Sequence, residues 1–217
     1  MITLGARGIG HKYGYRRIFS GIWLELNAGT ILAITGVNGS GKSTLLKILA
    51  GVLQSTNGEI LLTISEKTIP RERHSLHVGL VAPYMNVYED LTLRENLTFI
   101  AKARSMSEDA GRIEEIISKV GLIDHIDRPV RNYSTGMLQR VRFAVALFHA
   151  PQVLLLDEPT LGLDLGGRDI YETMVANAQK DGHVVVIASN TKDDIALANR
   201  SLCIEDYAPS SIKFAGA

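Results

Sequence analysis

The sequence holds a single cysteine, Cys203, which excludes an internal disulfide framework and suits a reducing compartment. It lacks any apolar run near the roughly 18–20 residues needed to cross a bilayer. It has strand-sized runs instead, such as residues 153–156 and 184–188. Residues 1–17 contain no hydrophobic signal-peptide core. The chain is therefore expected to be soluble, without a cleaved export signal, and unable to form a channel by itself. An excess of charge is also missing, because 23 Lys plus Arg balance 23 Asp plus Glu. Proteins that grip phosphate backbones are usually basic, so no nucleic-acid partner is expected. There is no internal repeat and no low-complexity tract.

What is present suits one domain of residues 1–217. A chain of this length buries a core without staples, and 46% hydrophobic with 21% charged residues is ordinary for a globular protein. Residues 22–26 alternate apolar and polar as a strand, and Asn27-Ala28-Gly29 reads as a turn. Residues 30–34 form a short strand that runs into a glycine-rich loop. Leu45, Leu46, Ile48 and Leu49 suit a helix over 42–50, with Gly51 as its stop. Residues 60–64 and 78–81 read as strands. The charged stretch 65–75 reads as an exposed hairpin or loop, with His74 and nearby His77 as ordinary exposed residues.

The middle third is helical. Thr92-Leu93-Arg94-Glu95 is a capping box for a helix over 93–104. Ser107 is the expected cap of a second helix, with Ile113, Ile116, Ile117 and Val120 on one face and Gly121 at its end. A third helix over 135–149 should bury Leu138, Val141, Val145 and Phe148. Strand 153–156, helix 167–180, strand 184–188, helix 192–199 and strand 201–204 follow. Alternating apolar strands and helices argue for a parallel sheet covered on both faces. A helical insertion over about 84–150 interrupts it, and the early strands, short and turn-linked, form a separate antiparallel layer.

The strongest motif is Gly36-Val37-Asn38-Gly39-Ser40-Gly41-Lys42-Ser43, which matches the phosphate-binding pattern G-x-x-x-x-G-K-[ST]. A strand leads into a loop without obstructing side chains, and a helix then points its positive end at the bound anion. Asn38, Gly39, Ser40 and Gly41, with Thr44 just beyond, are the expected nucleotide-binding residues. Lys42 can reach the β- and γ-phosphates, and Ser43 can place its hydroxyl on Mg²⁺. The second motif is Val153-Leu154-Leu155-Leu156-Asp157-Glu158-Pro159-Thr160. It sets two acids at the carboxyl end of a buried strand, where open α/β sheets bind ligands. Asp157 is the expected Mg²⁺ ligand, and Glu158 the general base for the attacking water.

The order of P-loop, helical insertion, Tyr133-Ser134-Thr135-Gly136-Met137 and Leu-Leu-Asp-Glu-Pro-Thr resembles the ATP-binding cassette (ABC) family over essentially the whole chain. The resemblance implies a P-loop NTPase α/β fold and ATP with Mg²⁺ as ligands. Leu161-Gly162-Leu163-Asp164 is similar to the family's D-loop, and Tyr13 to the aromatic residue that stacks on adenine. Ser134 and Gly136 resemble the signature that binds the γ-phosphate of an ATP held by a second cassette, so a dimer, homomeric or with a paralogue, is implied. Four positions depart from the family pattern, two of them in the signature, where Thr135 stands for the usual glycine and Met137 for the usual glutamine. No glutamine follows residues 78–81, where Asn86 is the nearest amide, and Asn190 stands where the switch histidine is usual. Asn190 can donate to a γ-phosphate oxygen but moves no proton, so slow hydrolysis is expected.

The resemblance implies an ATPase subunit on the cytoplasmic face of the cell membrane, working through an integral permease subunit. Residues 87–97 resemble small bacterial exporter cassettes, which points to export. The compact length also resembles the haem-exporter cassette of cytochrome c maturation. Two other readings stay open: a cassette ATPase acting on a ribosome or DNA, and a regulatory module that binds nucleotide but hydrolyses it weakly.

Overall fold

The computed structural model describes residues 1–106 and 109–209. In chain order the strands are β1 (Ile2–Tyr13), β2 (Arg16–Asn27), β3 (Ile31–Thr35), β4 (Asn57–Ile64), β5 (Lys67–Ile69), β6 (Val78–Val81), β7 (Val153–Asp157), β8 (Val184–Ala188) and β9 (Arg200–Cys203). The helices are α1 (Lys42–Leu49), α2 (Leu93–Ala103), α3 (Ala110–Lys119), α4 (Thr135–Leu147), α5 (Leu165–Lys180) and α6 (Lys192–Ala196). Strands β2-β1-β4-β5 form an antiparallel sheet, and β6-β7-β8-β3-β9 form a parallel one.

Every residue of β7 and β8 is buried. Their lack of polar alternation follows, since both faces of the parallel sheet meet apolar layers. The period-2 geometry of a strand divides the side chains between those layers. Leu154, Leu156, Val185 and Ile187 join one core with α2, α3, α4 and α5. Val153, Leu155, Val184 and Val186 join the other, where α1 packs with Leu4, Ile9, Phe19 and Ile22 from the antiparallel sheet.

The early strands are long rather than short. β1 and β2 have 12 residues each, and β1 was not legible because its register shifts between Ala6 and Ile9 and again toward His11. Such bulges break the two-residue hydrophobic period. The 65–75 stretch is partly the expected hairpin, with Ser65 and Glu66 turning β4 into β5. His74 is not exposed, however: it is buried, with Nε2 2.9 Å from Ile69 O. The half-buried His77 has Nδ1 2.8 Å from Gln152 Oε1.

Helix boundaries moved where side chains found backbone partners. Ser107 lies outside the described residues, and Asp109 caps α3 by accepting from Gly111 N at 2.9 Å. Asp164 accepts from Gly167 N at 2.8 Å, so α5 starts at Leu165. α6 stops short of Asn199, whose amide accepts from Ile31 N at 3.0 Å and donates to Gly29 O at 3.1 Å. In α4, Val141 and Phe148 are buried as expected, but Leu138 and Val145 are only partly so. Gln139 and Phe143 are buried instead, because this helix is enclosed on more than one side.

The capping box is formed as read: Thr92 Oγ1 accepts from Glu95 N at 3.1 Å, and Thr92 N donates to Glu95 Oε2 at 2.8 Å. One turn on, the buried Asn96 donates to Tyr88 O and Thr92 O, both at 2.9 Å, and accepts from Tyr88 N at 2.9 Å. It fastens the loop after β6 to α2. Asn96→Ala leaves those backbone groups unpaired, so a loss of about 1–3 kcal/mol is expected in urea unfolding. An unchanged midpoint would contradict this account of the loop.

Candidate functional site

β3 delivers the chain into the P-loop, whose backbone explains two of its glycines. Gly36 has φ 138° and Gly41 φ 112°, in the region that disfavours side chains. A Cβ on Gly41 would also sit 2.6 Å from Ile18 Cγ2. The loop wraps its own lysine: buried Lys42 donates from Nζ to Gly36 O at 2.7 Å. α1 begins directly after Gly41 without a side-chain cap, so its first N–H groups remain available to an anion.

A cleft of about 740 Å³ opens in front of this loop. It is lined by Tyr13, Asn38, Gly39, Gly41, Lys42, Ser43 and Thr44 from the first 44 residues, and by Glu158 and Asn190 from the later loops. The Tyr13 ring is half exposed, with His11 edge-on at 4.6 Å between centroids. Ser40 turns inward, and its hydroxyl is buried. Arg16, Ile18 and Leu161 line the same cleft and were missed. Arg16 pairs with Tyr13 across the β1–β2 turn, so a cation three residues after that aromatic was the available signal.

The two acids differ. Asp157 ends β7 almost fully buried, and its Oδ1 has no hydrogen-bond partner. Burial pushes its carboxyl above the usual range, while a hydrogen bond from Ser43 and the charges of Lys47 and Lys42 pull it back. Glu158 follows with φ 47°, a left-handed backbone rare outside glycine. Its N–H donates to Ala188 O at 2.9 Å. Burial raises its carboxyl too, Lys42 opposes this, and Asp157 and Asp194 reinforce it.

Asn190 faces the P-loop. It accepts from Gly36 N at 3.3 Å and donates to Asn38 Oδ1 at 3.4 Å. Asn86 is exposed and does not line the cleft. Tyr84, two residues earlier, has Lys47 Nζ 4.0 Å from its ring centroid. Burial, then the charge of Asp157, keeps its phenol protonated well above the usual range. Ser134 and Gly136 are not part of the cleft. Ser134 caps α4 by accepting from Met137 N at 3.2 Å, and Gly136 packs against the D-loop-like turn, where a Cβ would lie 3.0 Å from Gly162 O.

A profile of the ABC transporter family matches residues 19–161. The chain belongs to the ABC transporter family. It is 32% identical over 204 residues to the uncharacterized ABC transporter ATP-binding protein YdbJ of Bacillus subtilis, covering 93% of this chain and 66% of YdbJ. It is 31% identical over 184 residues to the lantibiotic transport ATP-binding protein SrtF of Streptococcus pyogenes, covering 85% of this chain and 78% of SrtF. The fold is shared with a dimeric post-hydrolysis state of the ATP-binding cassette MJ0796 bound to ADP and Pi. That match has a TM-score of 0.80 and 23% identity, and covers 92% of this chain and 93% of that one.

An ABC cassette is an ATPase that uses ATP with Mg²⁺. The residues fit that ion. A buried carboxylate oxygen without a partner beside a serine hydroxyl is an oxygen donor set of the kind Mg²⁺ takes. This fit has a stability consequence. A carboxyl raised on folding lowers stability once pH exceeds its unfolded pKa, and the loss is complete above its folded pKa. Asp157→Asn is therefore expected to raise the unfolding temperature measured near neutral pH without nucleotide. It should also abolish the further rise that Mg²⁺-ATP gives. A lower temperature without nucleotide, or an undiminished rise with it, would contradict the assignment.

Proposed function

We propose that this chain is the ATP-hydrolysing subunit of a transporter whose pore lies in a separate integral membrane subunit, and that it works as a cassette dimer. The observation that carries this reading is the division of the site. The cleft holds the P-loop, Glu158 and Asn190, whereas Ser134 and Gly136 lie outside it. A signature on the outside of its own cleft is usable by the cleft of a second cassette, either a copy or a paralogue. Among the described residues no helix is long and apolar enough to cross a membrane, which supports a pore in a partner subunit; in this reading the chain works on the cytoplasmic face. The likeness of residues 87–97 to exporter cassettes supports export, and SrtF is a lantibiotic transport protein.

In this reading Tyr13 stacks on adenine through the exposed face of its ring. Lys42 and the N–H groups of residues 38–44 hold the β- and γ-phosphates. Ser43 and Asp157 would hold Mg²⁺, which would offset the negative charge of the phosphates. Glu158 takes a proton from the attacking water as its oxygen bonds to the γ-phosphorus. The bond to the bridging oxygen breaks, and ADP and inorganic phosphate leave. Asn190 donates to a γ-phosphate oxygen. As a neutral donor it is roughly half as strong as a charged one, so turnover is slow.

Glu158→Gln is expected to lower steady-state phosphate release about 10²–10⁴-fold and to let ATP-bound dimers accumulate on gel filtration. Unchanged release would remove Glu158 as the base. Affinity capture of the chain from detergent-solubilised membranes of its source is expected to retain a multi-span protein. A capture that holds none would count against the divided transporter.

A further inference from the structure

Asp194, on α6, is completely buried and takes no part in the mechanism above. Its Oδ2 accepts from Ser189 Oγ at 2.6 Å and from Thr160 Oγ1 at 3.1 Å. Its N–H donates to Thr191 Oγ1 at 3.2 Å, and Thr191 N donates to Ser189 Oγ at 3.2 Å. The charge of the same carboxylate, after burial, helps keep the Tyr171 phenol of α5 protonated above its usual range. The two hydroxyls that Asp194 gathers come from different loops. Thr160 stands two residues after Glu158, and Ser189 stands directly before Asn190.

Both loops carry groups whose placement is demanding. Glu158 holds a left-handed backbone, a conformation that persists only where the surroundings impose it. Its own N–H reaches Ala188 O, in the strand that leads to Ser189. On the other side, Gln139 of α4 donates to Pro159 O at 2.9 Å. Asp194 is thus the side chain that ties the Glu158 loop to the Asn190 loop, and Asn190 in turn contacts the P-loop.

We propose that Asp194 is a positioning residue for ATP hydrolysis: through Thr160 and Ser189 it locks the loop carrying Glu158 to the loop carrying Asn190, so the base and the γ-phosphate donor keep one mutual geometry. The proposal rests on Glu158 being the base. Three variants separate the lock from a general contribution to folding. Asp194→Ala removes the acceptor. Asp194→Asn keeps an oxygen that both hydroxyls can reach. Thr160→Val keeps the side-chain shape and removes one donor.

Phosphate release gives kcat and KM, and binding of the non-hydrolysable analogue AMP-PNP gives Kd. Asp194→Ala is expected to lose about 10–100-fold in kcat, the scale of a misplaced reacting group, with Kd for AMP-PNP unchanged. Asp194→Asn should recover most of that loss. Thr160→Val should lose about fivefold, the worth of one neutral hydrogen bond. A folded Asp194→Ala with wild-type kcat overturns the proposal, and so does a loss of AMP-PNP affinity that matches the loss of kcat. If Asp194→Ala does not fold, Thr160→Val at wild-type kcat overturns it. Glu158→Gln is assayed alongside: unchanged turnover there removes the base assignment, whereas the expected loss there leaves the Asp194 result to judge the lock alone.

Discussion

Three neighbouring parallel strands, β7, β8 and β3, pair so that Asp157 and Ile34 both align with Ala188. Their carboxyl ends lie side by side, and the chain leaves all three in the same direction. The P-loop follows the first of them in sequence, the acids follow the second and Asn190 follows the third. Residues more than a hundred positions apart meet because of this register. Parallel sheets allow it only when both faces are covered, which is why α1 and the antiparallel sheet are needed on one side and the α2–α5 layer on the other. The apolar strands, the helical insertion and the extra β layer therefore serve one geometric end.

The same burial sets the electrostatics. Burial raises both Asp157 and Glu158, and Lys42 offsets this only partly at each, with Ser43 and Lys47 helping at Asp157. The fold holds raised carboxylates, a left-handed glutamate and an inward lysine at the carboxyl end of one sheet. Sites of this kind trade local stability for reactivity. The fully buried apolar side chains of β7 and β8 contribute to offsetting that cost.

Motifs whose meaning lies in close spacing were legible in the sequence. The P-loop, the Asp157–Glu158 pair, the Thr92–Glu95 box and the strand-helix alternation each depend on neighbours within a few residues, where local chemistry governs. Features created by distant contacts were not. Arg16 reaches the cleft only because β1 and β2 form a long bulged hairpin. Tyr84 feels the charge of Asp157 and carries Lys47 over its ring, whereas Asn86 is exposed and outside the cleft. His74 and Asn199 read as surface or helix residues, but their side chains complete backbone hydrogen bonds from elsewhere in the fold. Asp194 sits in a polar run that carries no pattern, and its burial is visible only once the loops after β7 and β8 are side by side.

The contact between Asn190 and the P-loop has a consequence for the conditions under which the protein works. An imidazole in that place would change charge near neutrality, and its grip on the loop would vary with the acidity around it. The amide of Asn190 accepts from Gly36 and donates to Asn38 without any ionisable proton. Its hold on the P-loop is therefore the same in mildly acidic and mildly alkaline surroundings. The contact between the loop after β8 and the P-loop thus carries no proton that could be lost or gained near neutrality.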